Sequence, residues 1–259
     1  MLCNVIATGS TGNAVVLDKD ILIDCGVPFG ALENVYKDIK IVLLTHIHGD
    51  HFNPTTIKRL HYLRPALRFA CAPWLVKPLL DIGVNGNMID QAFPAAGSYL
   101  HYGRDTYVGC ERIPHDVDNC CWHIWRGAEK AFYATDCGSL TEIAAKDYDL
   151  YLIEANYDED ELAEREARKL AAGEFSYEAR AAAAHLSTKQ AKAWLAQNAE
   201  MYRSKVIFLH QHQEREENHV VRGPSNDGEA SEDAQTGKAS QGGPPLCRRR
   251  AARPVFLGA

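Results

Sequence analysis

The sequence lacks any apolar run long enough to cross a bilayer, so it predicts no membrane-spanning segment. Its first residues, 1–7, form too short an apolar run for a secretion signal and lead directly into glycine and serine. Together these absences argue against an exported or membrane-embedded protein. We therefore expect a cytoplasmic protein with no membrane partner.

Cysteine pairs with metal-ligand spacing are also missing. The eight cysteines are scattered and include no Cys-x-x-Cys pair, so the usual ligand spacing of a structural zinc finger is not present. They are Cys3, Cys25, Cys71, Cys110, Cys120, Cys121, Cys137 and Cys247. Because cytosolic proteins are kept reduced, we expect most of these thiols to be buried and free of disulfides.

Positive charge is in short supply, since the formal net charge is −6 at pH 7. This balance argues against broad electrostatic capture of duplex nucleic acid. A small site can still hold cations that reverse the sign of the potential locally. The net charge therefore leaves a phosphate-bearing substrate open.

What the sequence does contain is enough apolar material for a substantial core, at 46% of 259 residues. We expect one main domain of a layered α/β class, covering residues 1–222. Short apolar runs separated by turn residues are typical of strands. The strand candidates are 2–7, 14–17, 21–24, 41–44, 106–113, 120–126, 131–135, 149–154 and 205–209.

Helix signals fall between and after these runs. Asn53-Pro54 predicts a helix start, and residues 158–184 are rich in strong helix formers, with Gly173 as a break between two helices. Ser187 and Gln190 have the spacing of a capping box. From Gly223 onward the composition is too polar to order itself, and we expect a disordered tail over residues 223–259.

Four potential metal ligands follow the wholly apolar run 41–44 within six residues: His46, His48, Asp50 and His51. An extended backbone sends the first two side chains to one side, and a turn redirects the other two. Imidazole and carboxylate together suit zinc, although manganese, iron or nickel could occupy the same ligands. This density of ligand types indicates a metal centre rather than ordinary surface histidines.

The pattern His-x-His-x-Asp-His after an apolar strand resembles the signature of the metallo-β-lactamase superfamily. The segments 9–13 and 21–26 resemble its opening hairpin. The resemblance covers residues 2–212. It implies an αββα sandwich, in which two packed β-sheets have helices outside and two divalent metal ions at one edge.

The same resemblance extends to three residues that follow later strands. His115 matches the third metal-binding histidine, Asp136 the aspartate that bridges two metals, and His210 the last histidine. It implies that one metal takes His46, His48 and His115, the other Asp50, His51 and His210, with Asp136 and a hydroxide shared. His212 competes with His210, which we favour because it directly follows an apolar strand.

Other polar residues have weaker placement. We expect Asp24 either to orient a ligand histidine or to serve only as a turn residue. The remaining histidines lack a matching position and are expected to be structural. They are His61, His101, His123 and His219.

Glu154 closes a strand candidate and His185 precedes a helix start. They resemble the Glu and His motifs of the phosphodiesterase branch that includes the transfer-RNA 3′-processing ribonucleases. There, a histidine oriented by the glutamate can give a proton to the leaving oxygen, which suits a general acid. The alternative is a histidine that merely packs or caps the helix.

These resemblances imply a two-metal hydrolase in which a metal-bridging hydroxide attacks the substrate and Asp50 takes the proton of the attacking water. We expect a phosphodiesterase acting on a cyclic nucleotide, a nucleotide or a short nucleic acid. No long RNA-clamping insertion is found, and the size and opening segment are similar to phage-type (anti-Pycsar) enzymes that cleave cyclic-nucleotide signals.

The alternatives are a lactonase or thioesterase of the same fold and a non-catalytic metal-binding protein. A homodimer is compatible with the resemblance, although no sequence feature indicates one.

Overall fold

The computed structural model of the protein describes residues 1–173, 184–200 and 202–210. Strands in this part of the chain form two six-stranded sheets. The second helix expected before residue 184, the candidate ligand His212 and the domain boundary at residue 222 lie outside the described residues. The same is true of Cys247 and His219.

The first sheet contains six strands in the order in which they follow along the chain. The first three strands pair antiparallel, and the third to sixth pair parallel. The parallel strands therefore end at a shared edge of the sheet. The strands are β1 (Cys3–Ala7), β2 (Ala14–Leu17), β3 (Ile21–Ile23), β4 (Ile41–Leu44), β5 (Arg68–Cys71) and β6 (Ile89–Gln91).

The second sheet contains β7 (Leu100–Tyr102), β8 (Thr106–Ile113), β9 (Asn119–Arg126), β10 (Glu129–Ala134), β11 (Leu150–Glu154) and β12 (Lys205–Leu209). Its spatial order is β12-β11-β10-β9-β8-β7. Strands β7 to β10 form an antiparallel meander, and β10, β11 and β12 pair parallel. Because β8 runs in the same direction as β10, the strands β8, β10, β11 and β12 all end at one edge.

Four α-helices are described, and three of them bury apolar residues against the sheets. They are α1 (Pro54–Leu63), α2 (Pro73–Asp81), α3 (Glu159–Ala171) and α4 (Thr188–Asn198). Helices α1 and α2 pack on the first sheet, and α4 packs on the second. Helix α3 buries no residue.

Strand β4 shows how these layers are built. Its four residues are all buried, because Val42 and Leu44 face the core under α1 and α2 while Ile41 and Leu43 face the core between the sheets. Trp122 of the second sheet lies in that same central core. The fold is therefore the αββα sandwich expected from the sequence, with buried apolar cores on both sides of each sheet.

Several local predictions are confirmed. Strands β2, β4, β8 and β12 have the expected bounds, and the others that were expected differ at their ends by at most two residues. Asn53 caps α1 by accepting a hydrogen bond from the Thr56 N–H at 3.0 Å. Both halves of the capping box at Ser187 are present in α4. Gly173, at a φ of +70°, follows the end of α3.

The predicted free thiols are also observed. Seven cysteines are described, none forms a disulfide, and all but Cys3 are buried. No helix among the described residues is long and apolar enough to cross a membrane.

Candidate metal centre

The histidine-rich segment turns sharply where β4 ends. The amides of His51 and Phe52 both donate to the carbonyl oxygen of His48, at 2.9 and 2.7 Å. This turn brings the side chains after His48 back toward the end of the sheet. His46 and His51 are fully buried, whereas the His48 side chain is about a third exposed.

The turn is held by the two opening segments that the sequence singled out. The Asn13 amide donates to the Asp50 carbonyl at 2.6 Å, and the Asn13 side-chain nitrogen lies 3.2 Å from the same oxygen. Gly26 passes so close that a Cβ at this position would lie 1.7 Å from that carbonyl oxygen. Only glycine fits there, which explains why the metal-ligand motif is accompanied by the glycine after Cys25.

Asp24 orients one of the expected ligands from beneath. This buried carboxylate accepts hydrogen bonds from the Thr45 amide at 3.0 Å and from the Tyr133 hydroxyl at 3.0 Å. It also contacts the Nδ1 atom of His51, at 2.7 Å. An Nδ1–H that donates to Asp24 leaves Nε2 of His51 as the ligand atom, which is how an outer carboxylate positions a metal-binding histidine.

The described part of the chain contains three groups of potential metal ligands. Within each group, the ligand atoms lie within 4.8 Å of one another. The groups are His46, His48 and His115; His46, His51 and Asp136; and Asp136, Glu154, His185 and His210. His46 links the first two groups, and Asp136 links the last two. The structure therefore brings together six of the seven residues expected as metal ligands.

Asp50, the seventh, belongs to none of these groups. Its Oδ2 atom lies 3.9 Å from His51 Nε2, and its side chain is 25% exposed. It therefore lies at the margin of the site, beside solvent. This placement is compatible with either a ligand or a proton acceptor.

Asp116 is a residue that sequence reasoning missed. Its Oδ1 atom lies 3.1 Å from His115 Nε2 and 3.4 Å from His48 Nε2. Those two rings also meet directly, with His48 Nδ1 3.3 Å from His115 Nε2. The only sequence signal was its position next to His115, which by itself cannot distinguish a functional carboxylate from a turn residue.

Two atoms at the centre of the site fit a bound cation. His46 Nε2 and Asp136 Oδ2 are buried 3.7 Å apart, and His46 Nε2 has no hydrogen-bond partner. His51 Nε2 is also within ion-pair distance of Asp136 Oδ2. Buried polar atoms are normally paired, because an unpaired one loses its hydration without compensation. A metal ion held by these nitrogen and carboxylate donors would satisfy them.

The protonation of the two deepest histidines differs. Burial lowers the pKa of His46 to about 2, helped by the positive charge on His51, so the His46 ring is neutral and its nitrogen is free to bind a cation. Burial acts in the same direction on His51, but the charge of Asp24 and the hydrogen bonds of Asp136 and Asp24 outweigh it and raise the pKa of His51 to about 10. The metal-free site therefore carries a proton where a cation would bind.

Glu154 joins two histidines at the other end of the site. Its Oε1 atom contacts Nδ1 of His185 at 2.6 Å and Nδ1 of His210 at 3.0 Å. The same two nitrogens lie 3.2 and 2.8 Å from Asp136 Oδ1. Oε2 accepts the Cys137 amide at 3.0 Å, so the buried carboxylate is held on both sides.

These contacts set the charges of the group. Burial alone would lower the pKa values of His185 and His210, but hydrogen bonds with Asp136 and Glu154 raise them to about 10 and about 9. For the acidic Glu154, burial alone would raise the pKa, but its hydrogen bonds to both histidines lower it. The metal-free group thus contains protonated imidazoles beside ionised carboxylates.

Backbone strain marks three positions of the site. Asp24, Asp136 and His210 have φ values of +56°, +52° and +53°, in the left-handed region that non-glycine residues seldom adopt. All three follow directly or closely after strands. His210 is held there by its amide, which donates to the Thr8 hydroxyl at 2.7 Å. Such strain is typical of functional sites that the surrounding structure holds in place.

The other described histidines have structural contacts. His61 accepts the Asn85 amide at 3.1 Å, and His101 stacks on Tyr107 with ring centroids 4.4 Å apart. His123 lies 2.8 Å from the Tyr148 hydroxyl. None belongs to the ligand groups formed by the described residues.

Comparison with known proteins agrees with this geometry. A family model described as the beta-lactamase superfamily domain matches residues 19–211. No curated protein matches the chain.

Solved structures give the same fold. The short form of human tRNase Z superposes with a TM-score of 0.59 at 15% identity, covering 81% of this chain and 92% of that one. The metallo-beta-lactamase fold protein YhfI from Bacillus subtilis gives 0.59 at 15% identity, covering 81% and 85%. Zinc-bound PqqB from Methylobacterium extorquens gives 0.55 at 13% identity, covering 82% and 89%.

Proposed function

Because the chain belongs to the metallo-β-lactamase superfamily, we propose that it is a two-metal phosphodiesterase acting on a cyclic nucleotide, a nucleotide or a short nucleic acid. The observation that carries this proposal is the contact between Glu154 and His185 beside Asp136. Hydrolysis at a carbonyl carbon would need the metal ligands but not this pair.

The donor set supports two divalent ions, with zinc as the expected metal. One ion would be held by His46, His48 and His115, and the other by Asp50, His51 and His210, with Asp136 shared. Bound there, the ions would supply an activated water and positive charge against the phosphoryl oxygens.

His185 is proposed to protonate the leaving oxygen. Its Nδ1 atom is 2.6 Å from Glu154, and its side chain is 22% exposed, so the ring is fixed but reaches the surface. In the metal-free protein its raised pKa of about 10 keeps it protonated at neutral pH, the state that a general acid requires. The bond to phosphorus breaks as this proton passes to the departing oxygen.

Asp50 is proposed to accept the proton of the attacking water. Its partial exposure and its distance of 3.9 Å from His51 leave the carboxylate accessible at the margin of the site. The proton lost by water to Asp50 and the proton given by His185 balance the overall hydrolysis. Asp50 then releases its proton to solvent, and His185 regains a proton from solvent, for the next turnover.

The expected substrate is small. The net charge of −6 disfavours a long polyanion, which favours a cyclic nucleotide over a long RNA. The likeness to a human tRNase Z, a protein named for its transfer-RNA substrate, supports phosphodiester chemistry in general. A cytoplasmic homodimer is part of the proposal, and light scattering of the purified protein tests the dimer.

The decisive comparison uses two reactions in one variant. His185→Ala should slow hydrolysis of a phosphodiester with an alkoxide leaving group, such as a cyclic nucleotide, by about 100-fold or more, because general acid catalysis of a poor leaving group is lost. Hydrolysis of a lactone or thioester by the same protein should change much less. His101→Ala, at a histidine outside the metal centre, is the matched control and should leave both rates unchanged.

Equal loss on both kinds of substrate would count against a phosphate-specific role for His185. Metal content measured by mass spectrometry must stay constant between the variant and the original protein for this comparison to hold. A panel of cyclic mononucleotides, cyclic dinucleotides and short RNAs then identifies the substrate. Turnover of a lactone alone would favour the carbonyl-centred alternative.

A further inference from the structure

A small pocket lies on the outer face of the second sheet. Its volume is about 190 Å³, and no residue that lines it belongs to the ligand groups of the metal centre. On β8 and β9 its side chains alternate with residues such as Val108 and Trp122 that face the core between the sheets. Its lining includes Tyr99, Gly109, Glu111, His123, Trp125 and Tyr148.

Three aromatic rings wall this pocket. Tyr99 and Trp125 meet nearly at right angles, with ring centroids 4.9 Å apart and an interplanar angle of 85°. Trp125 and Tyr148 are 6.1 Å apart at 55°. A Cβ at Gly109 would lie only 2.9 Å from the Tyr99 ring, so this glycine lets the ring lie directly over the strand. Tyr99 nevertheless remains 53% exposed, which leaves the pocket accessible.

One carboxylate completes the lining. Glu111 Oε1 lies 3.1 Å from His123 Nε2, while the Tyr148 hydroxyl lies 2.8 Å from Nδ1 of the same ring. Because an ionised carboxylate only accepts hydrogen bonds, Nε2 of a neutral ring donates to Glu111 and Nδ1 accepts from Tyr148. This pattern leaves the hydrogen of His123 on Nε2, from which it bonds to Glu111. Burial lowers the pKa of His123 to about 4, so at neutral pH the ring carries no positive charge.

Glu111 therefore has no positive partner of its own. Among the described residues, no lysine or arginine lies within ion-pair distance of it. Its side chain is only 24% exposed, and burial raises its pKa. An ammonium group beside this carboxylate would stabilise the ionised form that burial disfavours.

Lys130 does not fill this role. Its Nζ atom lies 5.1 Å from the centroid of the Tyr148 ring and donates to the Lys146 carbonyl oxygen at 3.3 Å. It is not among the residues that line the pocket.

We propose that this pocket binds a small alkylammonium ion, such as a trimethylammonium compound, with its methyl groups against Tyr99 and Trp125 and its charge beside Glu111. Aromatic rings attract cations through the negative potential of their faces, and cages of such rings recognise quaternary ammonium groups. A cavity of about 150 Å³ accommodates benzene, so a trimethylammonium group fits in a pocket of this size. Larger drug-like molecules usually need about 300 Å³ or more.

A matched pair of probes tests the charge requirement. Choline and its neutral analogue 3,3-dimethylbutan-1-ol have the same shape, and each can be titrated into the full-length protein while tryptophan fluorescence or calorimetric heat is followed. Choline should bind with a dissociation constant on the order of 1 mM or tighter, given its few atoms. The neutral alcohol should bind at least about fivefold more weakly, because it lacks the cation–π and carboxylate contributions.

Variants of the residues that line the pocket test whether choline binds there. Glu111→Gln, which keeps an acceptor for His123, and Tyr99→Leu, at an exposed position, should each weaken choline binding by about fivefold to thirtyfold. Glu142→Gln changes the net charge by the same amount on an exposed residue, and Tyr107→Leu removes an exposed ring outside the pocket. Both controls should leave choline binding unchanged.

The proposal would be overturned if choline and the alcohol bound equally or if neither bound detectably. It would also be overturned if the control variants weakened choline binding as much as the pocket variants. Unchanged circular dichroism and melting temperature show that the variants are folded. The readout is independent of phosphodiester hydrolysis, so failure of the proposed function has no effect on this result.

Discussion

At Asp136, one carboxylate meets four imidazole rings. Its Oδ1 atom lies within 3.2 Å of nitrogens on His185 and His210, whereas Oδ2 faces His46 and His51. Burial would raise the pKa of this carboxyl, but hydrogen bonds with the protonated histidines hold it far below its ordinary value. This carboxylate meets His46, expected on one ion, and His51 and His210, expected on the other, so it is placed to link two cations.

Protons and metal ions should therefore compete for the same atoms. Of the expected ligands, His51 and His210 have raised pKa values of about 10 and 9 in the metal-free protein, so they are protonated at pH 7. Zinc uptake should release protons and tighten as pH rises from 7 to 9. Calorimetry of zinc binding in buffers of different ionisation enthalpy measures this release, and heats independent of the buffer would contradict it.

The same protons stabilise the metal-free fold. A histidine whose pKa is raised on folding contributes most below its unfolded pKa, near 6.5, and the contribution is lost as pH rises toward 9 to 10. The free energy of unfolding of the chelator-treated protein should therefore fall between pH 7 and pH 10. Denaturant titrations at several pH values measure it, and stability that rises over this interval would show that the histidine protons are not held as described.

Asp24 acts through His51 rather than on a substrate. Asp24→Asn keeps the size of the side chain but weakens its hold on Nδ1 of His51, 2.7 Å away. Metal affinity should fall by about 10-fold to 100-fold, as for other outer partners of ligand histidines. Asp81→Asn, an exposed position on α2, is the control. Competition with a chelator measures the metal affinity of both variants. Equal affinities of the two variants would show that Asp24 is only a turn residue.

At the scale of elements, the site depends on close approach between loops. The loop after β3 contacts the turn after β4 so closely that the Gly26 backbone meets the Asp50 carbonyl. The Cys25 amide donates to the His51 carbonyl at 2.9 Å, which joins the loop and the turn side by side. The ligands after β4 are thus positioned by a segment that contributes no ligand itself.

Gly26→Ala tests this dependence. The added Cβ meets rigid backbone, so we expect a loss of at least about 1–3 kcal/mol in the free energy of unfolding, together with weaker metal binding. Gly30→Ala is the control, because a Cβ there meets nothing within 4 Å. Thermal unfolding and metal content measure the two effects, and near-identical behaviour of the two variants would contradict the role given to Gly26.

At the scale of the whole molecule, the sequence predicted the parts of the fold that have strong local patterns. Apolar runs such as Ile41–Leu44 and the capping signals at Asn53 and Ser187 are visible without the partner elements. Strands β5, β6 and β7 were not predicted because polar residues interrupt their short apolar runs, and helix α2 was not predicted because it has no side-chain cap and contains Pro78.

The site was predicted mainly by resemblance, and its unexpected contacts are long-range ones. Glu154 and His185 were expected to pair. In addition, Glu154 contacts His210 and His185 contacts Asp136, and these contacts connect residues far apart in the chain. No local pattern reports such a meeting, since it depends on parallel strands ending at one edge of the second sheet. The position of Asp116 beside His48 could not be predicted for the same reason.

Composition alone predicts that the segment after residue 222 is dispensable. A chain ending at residue 222 should keep its metal content, its melting temperature and its hydrolytic rate, because the removed residues are mostly polar and glycine-rich. Comparison of the truncated and full-length proteins tests this boundary. Insoluble or inactive truncated protein would place the boundary elsewhere.

Phosphodiester hydrolysis by this protein is proposed to need two metal ions. The most direct test is a titration of metal-free protein with zinc while hydrolysis of bis(p-nitrophenyl) phosphate is followed. We expect the rate to rise until two ions are bound per chain and to stay near background in His48→Ala at the same zinc concentrations. A rate that does not depend on metal, or that is retained in His48→Ala without bound zinc, would contradict the account.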